Sequence, residues 1–205
     1  MATFNLSDYS ANSIYHLMTQ TVVPRPIAWV LTENTKSSYN LAPFSYFTAI
    51  SSDPPLIVLS IGRKAEEEPK DTRRNILERK EFVLHIPSGS HAECVTKTAA
   101  SLAAGESELE LLENSELVEF EGSSLPRLAS SKVAFYCEYF DSHELGEGQQ
   151  AVIYGKIRQI FIDDSIVTID EKRTTVDAKG LDPLARLGGS QYSLFGNIKA
   201  VKRPS

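Results

Sequence analysis

The chain has 205 residues, 41% of them hydrophobic and 23% charged, with a formal net charge of -6 and a pI near 5.3. A chain of this size buries most of its surface in an ordinary core, and the composition is that of a soluble globular protein. The acidic balance argues against broad contact with nucleic acid or anionic membrane, which needs a positive field. The apolar runs near Ile27 and Leu56 are too short to span a bilayer.

Met1 to Tyr9 lacks a basic region followed by an apolar core, so no signal peptide is expected. Ile27–Leu31 reads as a buried strand of branched and aromatic residues. The polar stretch from Asn34 to Asn40 reads as a turn, and Phe44–Ile50 as the return strand. Asp53-Pro54-Pro55 ends that strand, because proline lacks an amide hydrogen and restricts its predecessor. Leu56–Ile61 and Glu81–Ile86 are further strands. Between them the charged run Arg63–Asp71 lies at the surface, and Asp71 suits the N-cap of a helix over Thr72–Arg79. His91–Ala104 has helical composition. Glu106–Glu113, with Leu109 and Leu112 at helical spacing, reads as a solvated amphipathic helix.

Beyond Pro126 the β character returns. Lys132–Phe140 alternates, with Val133, Phe135, Cys137 and Tyr139 on one face. Ala151–Ile162 is a long strand whose Gly155 marks a bulge or a close approach. Residues 177–205 are mostly irregular around Gly188-Gly189. Strands, a helical excursion and more strands predict a mainly β fold with flanking helices. An antiparallel barrel fits this order better than a doubly wound parallel sheet.

Cys94 and Cys137 form no C-x-x-C and read as reduced thiols of a cytoplasmic protein. None of His16, His85, His91 and His143 has metal-ligand spacing. His85 is expected beside the core, and His143 in an exposed loop over Asp141–Gly148. The fingerprints of a Rossmann dehydrogenase, a P-loop ATPase and an α/β-hydrolase are all missing.

Four segments stand out. Pro24-Arg25-Pro26-Ile27-Ala28-Trp29-Val30 is followed by Asn40-Leu41-Ala42-Pro43-Phe44-Ser45-Tyr46-Phe47. Then come Lys70-Asp71-Thr72-x-x-Asn75 and Arg186-Leu187-Gly188-Gly189-x-x-Tyr192. In this order they resemble the flavin reductase-like family, flavoredoxins included, over about Tyr15 to Tyr192. The resemblance implies an FMN-binding split β-barrel of antiparallel Greek-key type, one domain over residues 1–205 with a core at about 15–192 and a tail at 193–205. It implies hydride transfer from NADH or NADPH to flavin N5, and a homodimer with flavin near its interface. A flavin-dependent oxygenase or a redox protein would be its partner.

FMN makes two demands. Its phosphate carries a charge of about -1.5 to -2 near neutral pH and needs cations, hydroxyls or free amides. Its ring needs a flat slot with a few aimed donors. Lys70, Thr72 and the start of a helix answer the first demand, with Asp71 capping the helix or orienting Lys70. An ordinary capped surface helix has the same pattern. Arg25, held between two prolines, suits the phosphate or the carbonyl edge of the ring, although a surface arginine at a strand start reads alike. Trp29 reads as core. The resemblance carries over Asn40, Ala42 and Ser45 as the segment beside the flavin. Ser60, Gly62 and Arg63 would close around the ribityl chain or phosphate, although Arg63-Lys64 also reads as solvated. Arg186 opens the late segment, whose Gly188 and Gly189 let backbone approach a planar ligand, and Tyr192 would stack near or lid the ring. A flexible turn with a packed tyrosine is the plainer reading. No side chain need act as acid or base. An FMN electron carrier that never meets a nicotinamide, and a barrel that has lost flavin, remain the other readings.

Overall fold

The computed structural model describes residues 1–35, 38–64, 68–103, 105–113, 115–146, 150–171 and 173–204. Seven strands form its main sheet: β1 (Ala28–Thr35), β2 (Ser38–Phe44), β3 (Phe47–Ser52), β4 (Pro55–Ile61), β5 (Glu81–His85), β6 (Val133–Leu145) and β7 (Gln150–Ile162). All pairings are antiparallel, in the order β2-β1-β5-β6-β7-β4-β3. The two edge strands, β2 and β3, are separated in sequence only by Ser45 and Tyr46. The sheet must therefore roll until its edges meet. The β3–β4 ladder runs one residue beyond Phe47, where the Ser60 amide donates to the Tyr46 carbonyl at 2.9 Å. Among the described residues no strand ladder joins β2 to β3, so the barrel is split there.

The run Ile27–Leu31 is continuously apolar because both of its faces are covered. Ala28 and Val30 point into the barrel with Phe44, Leu59, Phe82 and Ile153. Trp29 and Leu31 point outward against Val95, Leu112, Phe120 and Leu128. Helix α1 (Ala11–Thr21) precedes the barrel, α2 (Asp71–Arg79) follows β4, and α3 (Ala92–Lys97) follows β5. Ile76 of α2 reaches the barrel interior. The expected tight contact at Gly155 is present: a Cβ there would lie 2.5 Å from Phe82 Cζ, and the β6–β7 register slips between Tyr154 and Gly155.

Several expectations need correction. The return strand is Ser38–Phe44, not Phe44–Ile50, and the polar stretch belongs mostly to the β1–β2 hairpin. Pro43 is tolerated inside β2 because it shares the parity of Leu41, whose amide points away from β1 to a side chain. Lys70, not Asp71, holds the N-cap position of α2. The helix over His91–Ala104 stops at Lys97, where Thr98 turns its hydroxyl back to the Cys94 carbonyl and receives Trp29 Nε1 at 2.9 Å; Ala104 lies outside the described residues. Glu106–Glu113 is no solvated helix: only a 3-10 turn forms over Glu108–Leu111, with Glu108 buried and Leu109 and Leu112 packed on the core. His143 lies in β6 opposite Val152 rather than in a loop, though it is exposed as expected. Residues 147–149 lie outside the described residues. The pattern reading has no element before Ile27, yet Ser10 caps α1 by accepting from the Ser13 amide.

Candidate flavin site

The site is built around β2 and the start of α2. Along β2, alternate residues share a face, so Asn40, Ala42 and Phe44 point one way and Leu41 the other. Asn40 and Thr72 are 2% and 1% exposed, and Asn40 Nδ2 donates to Thr72 Oγ1 at 2.8 Å. One turn on, Asn75 Nδ2 donates to Thr32 Oγ1 at 3.0 Å and Asn34 Oδ1 at 2.8 Å. These bonds seat α2 on the hairpin and fix the direction of its first turn, whose amides have no acceptor inside the helix.

A cavity of about 90 Å³ opens at this junction. Asn40, Ala42, Phe44, Lys70 and Thr72 line one side, and Thr98–Leu102 with Glu108 the other. Lys64 and Asp71 complete the wall; Lys64 Nζ lies 2.7 Å from Asp71 Oδ2, and Arg74 meets the other oxygen at 2.5 Å. Lys70 keeps much of its surface open to solvent. Its ammonium nevertheless sits 5.7 Å from the Phe44 ring centroid, and desolvation lowers its pKa below the ordinary lysine value. Burial raises the Glu108 pKa. Bonds from its own amide and that of Leu41 oppose the rise, Asp71 adds to it and Lys64 reduces it.

The other half of the predicted set gathers at the far end of β2. Arg25 is 6% exposed and its guanidinium is engaged all round. Nη1 donates to the carbonyls of Thr19 and Val22, Nη2 to Leu187 at 3.0 Å, and Nε to Ser45 Oγ at 3.3 Å. Arg25–Pro26 pairs with Ala185–Arg186, which pairs with Tyr192–Ser193. Arg186 bonds the Gly189 carbonyl and stacks 4.6 Å from the Tyr192 ring centroid. Tyr192 Oη meets Thr96 Oγ1 of α3 at 2.8 Å. Gly189 has φ 59°, a left-handed conformation that favours glycine. An apolar recess of about 400 Å³ opens beside this corner, between Met18 of α1 and Val22 just past its end on one side and Ser45, Tyr46 and Phe47 on the other.

The structure thus brings Asn40, Ala42, Lys70 and Thr72 to one cavity, and Arg25, Ser45, Arg186, Gly189 and Tyr192 to one corner. Five residues of extended chain, roughly 16 Å, join Asn40 to Ser45. Ser60 and Arg63 line neither place: Ser60 Oγ donates to Gln150 Oε1 at 3.3 Å, and Arg63 bridges to Pro69. The sequence reading missed Glu108 and the 98–102 segment. No local signal marks their approach to β2, since only the tertiary fold puts them there. It also missed α1, although Ser10 offers a cap signal.

The model of the flavin reductase like domain matches residues 18–175. The chain belongs to the flavin reductase-like family. It is 34% identical to the uncharacterized protein YwrF of Bacillus subtilis, over 100% of both chains. Its fold matches nitrilotriacetate monooxygenase component B from Bacillus cereus with a TM-score of 0.88 at 32% identity, covering 98% of each chain. It also matches Pseudomonas fluorescens 2-nitrobenzoate 2-nitroreductase NbaA, with a TM-score of 0.87 at 27% identity, over 99% of this chain and 96% of that one. The fold is therefore the antiparallel split barrel of this family.

Elsewhere the chemistry is quiet. Cys94 and Cys137 are both free, and burial pushes the Cys137 thiol up. His85 is a core group: Nδ1 bonds the Trp29 carbonyl at 3.0 Å, Nε2 accepts from the Leu128 amide at 3.0 Å, and burial lowers its pKa to about 4. Among the described residues, no three His, Cys, Asp or Glu side chains gather as a metal would require, and no helix is long and apolar enough to cross a membrane.

Proposed function

We propose that the protein binds FMN along β2 and acts as an NAD(P)H-dependent flavin reductase. The observation that carries this reading is the cavity at the α2 start, where an ammonium with no ion pair among the described residues, buried polar side chains and the first-turn amides of a helix converge at one end of an edge strand. About 90 Å³ suits a phosphate, not a whole flavin, which needs a site several times larger. Lys70, Thr72 and the first amides of α2 would take the phosphate. The ring would lie farther along β2, toward Ser45 and the Arg186–Tyr192 loop. When bound, the flavin supplies the hydride chemistry at N5. The chain's own residues bind, orient and shield it. Arg25 contributes by holding the corner rather than by offering its charge.

The likeness to a monooxygenase component supports an oxygenase or another redox protein as recipient of the electrons. A homodimer belongs to the same proposal: β3 is exposed over most of its length, with Ile50 open to solvent, at an unpaired edge. So do a single-domain organisation and a cytoplasmic location. Light scattering should give twice 22.7 kDa at micromolar concentration; one chain alone would defeat the dimer. For the activity, freshly purified protein should be yellow or take up FMN, and anaerobic mixing with NADH or NADPH should bleach the flavin band within turnover times. Bound flavin that neither nicotinamide bleaches would make it an electron carrier instead. No flavin binding at all would reject the reading.

A further inference from the structure

Glu108 is an unexpected neighbour for an anion site. It is 5% exposed, lines the same cavity as Lys70 and Thr72, and is the carboxylate there without an ion pair among the described residues; Asp71 is matched by Lys64 and Arg74. Its Oε2 accepts the Leu41 amide at 3.1 Å, on the outer edge of β2. Next to it, Ser107 Oγ donates to the Tyr39 carbonyl at 2.5 Å. Pro43, next in that row, has no amide to satisfy. Two side chains thus finish the edge that a neighbouring strand would otherwise cover.

A tether alone does not require a charge, because a neutral amide oxygen accepts the same bond. A buried carboxylate beside a phosphate does have a consequence: at short range in a partly desolvated site it repels the dianion. Resting on the FMN reading above, we propose that Glu108 is a specificity-determining and positioning residue. It holds β2 in place through Leu41, and its charge limits how tightly the cavity grips a phosphorylated flavin. The cavity would then release FMN more readily than its cations alone would allow.

The experiment measures FMN and riboflavin Kd for wild type, E108Q, E108A and S107A, with folding followed by circular dichroism. E108Q keeps an acceptor for Leu41 and removes the charge, so FMN should tighten roughly tenfold while riboflavin stays put. E108A also loses the tether; both flavins weaken, yet the FMN-to-riboflavin preference still rises. S107A loosens the edge without touching charge, so both ligands shift together and the preference holds. An unchanged or reduced preference in E108Q overturns the proposal, as does a changed preference in S107A. Failure of both Glu108 variants to fold assigns the residue to the scaffold alone and also overturns it. Wild type that binds neither flavin would instead defeat the FMN reading itself.

Discussion

Arg25 and Lys70 are cations at the two ends of one edge strand, and both stand in motifs that resemble flavin-binding segments. Their surroundings separate them. Arg25 is enclosed by the carbonyls of Thr19 and Val22 at the end of α1, by Ser45 and by the Leu187 carbonyl, so its donors are spent inside the protein. Lys70 faces a cavity with only an aromatic ring beside its ammonium and no ion pair among the described residues. A planar five-donor fork suits the stitching of three segments into one corner, whereas a mobile point charge suits an incoming anion. A charge near a site is thus assigned by what already occupies its donors, not by residue type.

The largest effect should come from breaking the corner. Arg25→Ala leaves several buried carbonyls without donors, so it should destabilise the fold by about 3–5 kcal/mol, read from urea unfolding. Among molecules that remain folded, the preference for FMN over riboflavin should not move. A stable R25A protein that loses FMN alone would return Arg25 to the phosphate.

Acid should act next, and on the scaffold. The folded pKa of His85, about 4, lies below the ordinary 6.5, so between these values the unfolded chain binds the extra proton. The contribution of neutral His85 is fully present above pH 6.5 and is lost as pH falls toward 4. That loss is on the order of 3 kcal/mol. His85→Gln should flatten this part of the pH–stability curve, measured by denaturant midpoints from pH 7 to 4. An unflattened curve would place the titration elsewhere.

Lys70→Ala sharpens the other side of the comparison. It should leave stability nearly unchanged. FMN should weaken roughly ten- to a hundredfold, the worth of a charged hydrogen bond at about 1.5–3 kcal/mol, with riboflavin unaffected. Equal weakening of the two flavins would detach Lys70 from the phosphate. The smallest effect belongs to Tyr192→Phe, which loses only the bond to Thr96. About 1 kcal/mol of stability should go, seen as a lower melting temperature, while flavin affinity is kept. A loss of flavin affinity larger than that of stability would make the Tyr192 hydroxyl part of the ligand site.

The strands with strong local patterns were legible from the sequence: Ile27–Leu31, Leu56–Ile61, Glu81–Ile86 (one residue longer than the strand that forms), the alternating start of β6 and the long β7. Side-chain periodicity and β-branched composition are written residue by residue, so they need no tertiary information. The ordered motifs also made the family legible, but the bond between Asn40 and Thr72 that joins two of them came only with the fold. Which charges are already engaged became visible only in the folded chain. Arg25 reads as exposed until Thr19, Val22 and Leu187 close around it, and Leu187 is 162 positions away. Glu108 reads as solvated until β2, 67 residues earlier, offers it the Leu41 amide. Burial and hydrogen-bond partnership come from contacts distant in sequence, and a local pattern carries no record of them.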